Sequence, residues 1–426
     1  MLGGVLFVGA TTGVQAAGLL DEVTALLNTH ERIKAAEADL DAARANLEVA
    51  RGGYYPTASI TANIGNEKIT THTPTTQTFT TTSYRQREVD LSLTQTVYDF
   101  GATDATVDGG TLAVDQATAT LELARQGILL EALSAQLNLA SAKRVLDHQT
   151  QSEASIQRQT ELEDARVQRG SGFSTDVLQA KTQLAGAQAA RVRADGALRQ
   201  AINRYRAVFG RAPDDVTGLE MPNVSSVSLP GSEDEVVFAA LDDNLQVKVS
   251  GLLAAISDSE ITRTEATNYR PVVEAIAEQK FKNNVSGTQG QKTERLVKLE
   301  ATFDFNMGWT AQNTLLASKA GHSAANARLK DTRDQIEEQA RNAWQALVTA
   351  RANAQFLKNQ ANIAGEFLDL ARRERALGQR SLIDVLSGET AHINALAQAD
   401  RAETDVAIAT LSVLNVMGKL DLSVLQ

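Results

Sequence analysis

The chain contains no cysteine, which excludes disulfides, thiolate nucleophiles and cysteine-held metals. Its six prolines stand at 56, 74, 213, 222, 230 and 271, so 75–212 and 272–426 are free of helix breakers. Aromatic residues make up 4% against 43% hydrophobic. A large enzyme core draws more heavily on Phe, Tyr and Trp, whereas Ala-rich chains suit thin helix-on-helix packing. Positive charge is also short. The net charge of −11 argues against nucleic acid, whose phosphates require a basic face. Beyond the N-terminus no apolar run reaches the 18 residues of a membrane helix. The histidines at 30, 72, 148, 322 and 392 show no metal-binding spacing and read as solvated residues, and no glycine-rich phosphate loop precedes a Lys-Ser/Thr. Nothing points to an enzyme, a metal or a cofactor.

What is present is a duplication. Arg169-Gly170-Ser171-Gly172-Phe173-Ser174-Thr175-Asp176-Val177-Leu178 has a counterpart in Leu377-Gly378-Gln379-Arg380-Ser381-Leu382-Ile383-Asp384-Val385-Leu386. In both, a long proline-free segment stops at a glycine and restarts at Asp-Val-Leu. Glycine permits the left-handed helix ending, and Ser or Thr before Asp suits the cap of the next helix. Each stretch reads as the tip of a helical hairpin.

The flanks repeat as well. Residues 1–17 read as an export signal whose start lies upstream: an apolar run ends in Val14-Gln15-Ala16, yet the first basic residue is Arg32. A short buried helix is the competing reading. The first repeat spans 18–210: a helix broken at 28–31, strands at 57–64 and 89–98 around a Thr-rich loop at 66–83, a helix over 102–169, and a return helix over 174–209. At 1.5 Å per residue the long helix measures roughly 100 Å. Residues 211–243 form a connecting, equatorial region. The second repeat, 244–418, gives a helix, strands at 271–281 and 297–305 around a polar loop at 283–294, a helix over 310–376 and a return helix over 382–417. A tail of 419–426 follows.

Strand alternation is sharp. Ala58, Ile60, Ala62 and Ile64 oppose Thr57, Ser59, Thr61 and Asn63. Val297, Leu299, Ala301 and Phe303 oppose Lys298, Glu300, Thr302 and Asp304. Strands of about ten residues cross a bilayer when tilted. A sheet in lipid must close, and four strands cannot close around anything, so several chains must contribute. The expectation is that the apolar set meets lipid while Lys298, Glu300, Thr302 and Asp304 face a lumen. A small soluble sheet is the alternative. Tyr54, Tyr55, Tyr98, Phe100, Tyr269, Phe305 and Trp309, at strand–helix junctions, favour a membrane interface.

With its duplicated organisation, its Leu91-Ser92-Leu93-Thr94-Gln95 to Asp99-Phe100-Gly101 strand ending and its two Gly…Asp-Val-Leu tips, the chain resembles the TolC-like outer-membrane channel proteins of efflux pumps and type I secretion systems. The resemblance covers nearly everything after residue 18. It implies a mainly α fold with a β-barrel portion: a homotrimer whose twelve-stranded outer-membrane barrel continues into a periplasmic α-helical barrel. It further implies passive passage to the exterior, gated at the periplasmic tip, with outer-membrane lipid around the barrel. The implied partners are a periplasmic adaptor (membrane fusion) protein and an inner-membrane transporter of ABC, RND or MFS type. Carried over residue by residue, Asp176, Arg380 and Asp384 form the gate and constriction. Gly170, Ser171 and Gly172, with Gly378 and Gln379, form the adaptor-docking tips. Three departures stand out: Ser387 where the family carries a second Asp, Arg375 where a Tyr is expected, and Arg169-Gly170-Ser171 in place of Val-Gly-Leu. A structural periplasmic coiled-coil protein without a pore is the rival reading.

Overall fold

The structure, a computed structural model, describes residues 12–171, 173–213, 216, 229–304 and 307–425. Contacts divide the chain into two compact units, Met1–Ala36 with Thr120–Val247 and Thr332–Gln426, and Glu37–Ala119 with Lys248–Asp331. Both halves of the sequence contribute to each unit.

The elements in chain order begin with α1 (Thr12–Thr29), α2 (Glu31–Arg51), β1 (Thr57–Thr73), β2 (Thr78–Tyr98), α3 (Ala102–Gln168) and α4 (Ser174–Phe209). Then come α5 (Glu233–Asp243), α6 (Leu245–Tyr269), β3 (Val272–Asn283), β4 (Gln291–Thr302), α7 (Thr310–Ala376) and α8 (Leu382–Val416). The break between α1 and α2 falls at His30, whose Nδ1 accepts from the Arg32 amide at 3.1 Å. A helix covers 12–17, the end of the expected export signal; residues 1–11 of that segment lie outside the described residues.

The first unit is a helix bundle with small contact residues. Ile156 of α3 packs with Ala180 and Ala187 of α4 and with Leu382 and Leu386 of α8. Val145, Ala194 and Ala397 repeat that three-helix contact. Ala361 of α7 meets Ala395 and Ala399 of α8. Added Cβ atoms would stand 3.1 Å from Phe367 at Gly388 and 2.9 Å from His392 at Gly365, so both glycines set how closely α7 and α8 approach. Where α4 ends, Tyr205 stacks on Phe209 at 4.2 Å, and its hydroxyl donates to Glu22 of α1 at 2.5 Å.

The second unit holds one antiparallel sheet in the order β1-β2-β3-β4. The Thr-rich stretch expected as a loop over 66–83 is strand except at 74–77: β1 and β2 pair continuously from Thr57↔Thr94 to Thr73↔Thr78. Thr is β-branched and favours strands, and only Pro74 and its neighbours form the turn. In the second hairpin β4 starts at Gln291 and ends at Thr302, so the loop shrinks to 284–290. Asp304 therefore lies past the strand, and Phe305 lies outside the described residues.

The five histidines, read from sequence as solvated, each touch a neighbour. His148 pairs with Asp400 at 2.8 Å, His322 with Ser257 at 3.0 Å and His392 with the Ala361 carbonyl at 3.2 Å. His72 lies against Phe79 with ring centroids 4.6 Å apart, and His30 caps α2.

Candidate functional site

The sheet has two chemically opposite faces, and their exposure is inverted. Cross-strand register puts Ala58, Leu93, Ala277 and Val297 in one row, with Ile60 and Leu91 in the next. This apolar face is open: Ile60 is 74% exposed and Val297 83%. The opposite face carries the acidic residues and is half-buried. There Lys282 pairs with Glu294 at 2.8 Å and Glu88 at 3.5 Å, Lys280 with Glu278 at 3.1 Å, and Lys298 with Glu300. A sheet in water buries its apolar face; this one shelters its charges and presents Ile, Val and Leu outwards.

Two further features belong to the same surface. β1 and β4 are both edges, so each presents unpaired backbone N–H and C=O groups. At the helix-side ends of the strands Tyr54, Tyr55, Tyr98, Tyr269 and Trp309 are exposed. The Tyr54 hydroxyl donates to Asp104 at 2.6 Å, and Arg270 lies over the Phe100 ring at 5.8 Å. Phe100 (φ 56°) and Gly101 (φ 88°) are both left-handed, which turns the chain from β2 into α3.

Asp99 anchors that turn. It accepts from the Gly101 amide at 3.1 Å and the Thr103 amide at 2.7 Å, and also from the Thr103 hydroxyl. Burial pushes its pKa up, but these donors outweigh burial and hold it below the ordinary 3.8. A depressed carboxylate stabilises the fold fully above its unfolded pKa, and that contribution is lost as pH falls through the folded value. Asp99→Ala is expected to cost about 1 kcal/mol at neutral pH, as loss of a helix cap does. The deficit should shrink on acidification. Circular dichroism across a pH series checks both; a deficit growing towards low pH would contradict the assignment.

The helical unit contains the two tips, and they end alike. Gly170 (φ 79°) and Gly378 (φ 74°) are left-handed. The Ser171 amide reaches back to the Arg166 carbonyl and the Gln379 amide to the Glu374 carbonyl, both at 3.0 Å, the Schellman ending. The restarts differ. Ser381 caps α8, its side chain accepting from the Asp384 amide at 3.2 Å. Phe173 begins α4 without a side-chain cap, so the cap expected from Ser or Thr before Asp176 forms only at the second tip. Gly172 lies outside the described residues.

Of the expected gate residues, Asp176 is half-buried and Asp384 exposed, each in the first turn of its helix, α4 and α8. Arg380 donates to Glu374 at 2.6 Å and lies over Phe367 at 5.2 Å. Among the ion pairs of the described residues within one chain, its carboxylate is Glu374 and not Asp176. The connection between the tips comes from a residue that sequence reading registered only as a departure. Arg375 donates to Glu163 of α3 at 2.9 Å and to the Arg380 carbonyl at 3.3 Å. The Glu163 side chain is 5% exposed, and Arg166 approaches it at 3.3 Å. A signal existed: Ile156, Thr160 and Glu163 share the buried stripe of α3, and a carboxylate there requires a cation from another helix. Among the described residues no group of His, Asp and Glu is placed to hold a metal, and no helix is long and apolar enough to cross a membrane.

A sheet with an apolar exterior, a charged interior and open edges, in a chain of duplicated long helices, defines the fold of an outer-membrane channel subunit. Comparisons agree. Residues 23–211 match the family model described as "Outer membrane efflux protein". The outer membrane efflux protein BepC of Brucella suis biovar 1 (strain 1330) is 24% identical over 376 residues, 88% of this chain and 79% of that protein. The proteases secretion protein PrtF of Dickeya chrysanthemi is 22% identical over 398 residues, 89% of this chain and 84% of that protein. In fold, the CmeC outer membrane channel of Campylobacter jejuni superposes with a TM-score of 0.78 at 14% identity, over 96% of this chain and 88% of that one. Along most of its length the chain is thus similar to TolC-like outer-membrane efflux and type I secretion channel proteins, and its place is the outer membrane.

Proposed function

We propose that three copies of the chain form a passive conduit from the periplasm to the exterior, gated at the helical tips and energised by partner proteins. The observation that carries this reading is the inverted sheet. Its exposed face suits lipid, its charged face suits a water-filled lumen, and its free edges demand neighbours, because backbone groups in hydrocarbon must be paired. Four strands from each of three copies supply a twelve-stranded barrel, within the known size range. An exposed seam at seven-residue spacing on α7, Phe356, Ile363 and Leu370, continued by Leu377 just past its end, supports assembly between copies, since that period is the coiled-coil one. Lys298, Glu300 and Thr302 then line the lumen.

At the periplasmic end, the tips at Gly170, Ser171, Gly378 and Gln379 receive an adaptor protein, and an inner-membrane transporter supplies the energy. Asp384 lines the constriction. With Ser387 in place of a second acid it gives a single carboxylate ring. Arg380 restrains the closed state through Glu374 in its own chain and Asp176 of a neighbouring copy. Each such half-exposed pair contributes roughly 0–1 kcal/mol, and three-fold repetition brings the sum to a level that shifts a two-state gate.

Planar-bilayer recording of the purified protein tests this directly. Wild type should give small, uniform steps. Arg380→Ser should raise the conductance severalfold, and adding Asp176→Ala should gain little more. An absence of steps from intact oligomers would sink the conduit; equal conductance in all three proteins would remove Arg380 from the gate.

A further inference from the structure

The strands sort their charges by sign as well as by polarity. Every Asp and Glu of β1–β4 sits on the half-buried face, together with Lys280, Lys282, Lys292 and Lys298. Each of those four lysines has a carboxylate partner. The apolar face carries no acid on any strand, but it does carry four cations: Lys68, Arg85, Arg87 and Arg295. All four are exposed, and none has an ion-pair partner among the described residues.

Their positions along the strands are ordered. From the helix-side end, β1 presents Ala58, Ile60, Ala62 and Ile64, then Asn66 and Lys68. β2 presents Leu93, Leu91 and Val89, then Arg87 and Arg85; β4 presents Leu299 and Val297, then Arg295. On β1 and β2 the apolar band thus gives way to cations in three successive rows on the side of the hairpin turn, Ile64↔Arg87, Asn66↔Arg85 and Lys68↔Ser83. Arg295 instead stands nearer the helices, in the row of Ile60, Leu91 and Gln279, and the aromatic residues mark the helix-side end. Unpaired cations on an otherwise apolar face require anions at the height where hydrocarbon ends.

We infer that Lys68, Arg85 and Arg87 form a belt that binds the phosphate groups of anionic lipid headgroups in the leaflet at the turn end of the sheet. The guanidinium fork matches a phosphate bidentately, and Lys adds a point charge. The arrangement explains why the cations stand on the lipid side without acids, while the interior lysines are neutralised by their neighbours. It rests on the reading of the apolar face as lipid-facing.

The test uses the full-length protein in phosphatidylcholine nanodiscs containing lipid A, its dephosphorylated form, or neither. Native mass spectrometry counts retained glycolipid, and a titration gives its affinity. Wild type should retain lipid A and bind the dephosphorylated form at least about tenfold more weakly. The variant Lys68→Gln/Arg85→Gln/Arg87→Gln should still insert but lose most of the retained lipid A. Lys280→Gln/Lys292→Gln, altering the other face, should bind as wild type does. Equal retention by the belt variant, or equal binding of the dephosphorylated lipid, overturns the belt while leaving the membrane reading intact. Displacement of lipid A by millimolar inorganic phosphate would also overturn it, by showing a site for the free anion. A wild-type protein that fails to insert into any of the three bilayers would reject the membrane reading and the belt together.

Discussion

A Leu299→Arg variant is expected to lose about 2–4 kcal/mol of stability per chain in the membrane, the cost of a cation at mid-depth on the lipid side of a barrel. Leu299 stands in the centre of the apolar run of β4, is 73% exposed, and lies opposite Ala275, so nothing in its own chain could receive the charge. Placing the same side chain on the other face should cost little: Ser92→Arg would sit beside Glu278, its cross-strand partner. The comparison holds strand propensity nearly constant and changes only the medium that each residue meets. Heat-resistant oligomers in outer-membrane extracts, resolved by electrophoresis at rising temperature, report the difference. Equal losses at 92 and 299 would mean that both faces meet the same solvent, contrary to the membrane reading.

The second large effect is expected at Gly418. It closes α8 in the same way as the tips, with its amide on the Asn415 carbonyl at 3.0 Å and the Lys419 amide on Leu414 at 2.9 Å. Its φ is +70°, and a Cβ added there would stand 2.4 Å from the Asp243 carbonyl oxygen, too close without backbone movement. The neighbouring Asn244 cannot yield easily, since its buried side chain donates to the Val416 carbonyl at 2.8 Å. Gly418→Ala should therefore add overpacking to left-handed strain and cost about 2–4 kcal/mol. Gly210, also left-handed at +73° with nothing within 4 Å of an added Cβ, isolates the strain alone; Gly210→Ala should cost about 1 kcal/mol. Thermal unfolding of both variants, followed by circular dichroism in detergent, checks the ratio.

The legible parts of this fold were those where one physical cause dominates. Alternation at 57–64 and 297–302 marks strands because one face is apolar and the other polar. The same test is silent over 66–73 and 78–83, where Thr occupies both faces and the period disappears; composition, not pattern, was the signal there. Gly170 and Gly378 could be read because a left-handed ending all but requires glycine. The cap before Asp176 could not, because Phe173 occupies the capping position while Ser174 has already entered the helix. Among the tip residues, Arg380 and Asp384 came from resemblance, which transfers positions and not partners. That Arg380 meets Glu374, and that Arg375 holds Glu163, depends on how four helices pack, and no local pattern in the sequence encodes it.

The Glu163–Arg375 pair has a bearing on how such a chain can change over descent. α3 and α7 both contain 67 residues, and the pair joins them near their C-terminal ends. Inserting four residues into α3 alone, upstream of Glu163, would advance that carboxylate by about 6 Å and turn it by roughly 40° about the helix axis. Glu163 would leave Arg375, and Ile156 would leave the layer it shares with Leu382 and Leu386. Insertions and deletions in one half are therefore tolerated only when matched by an equal change in the other, so the two arms lengthen or shorten together.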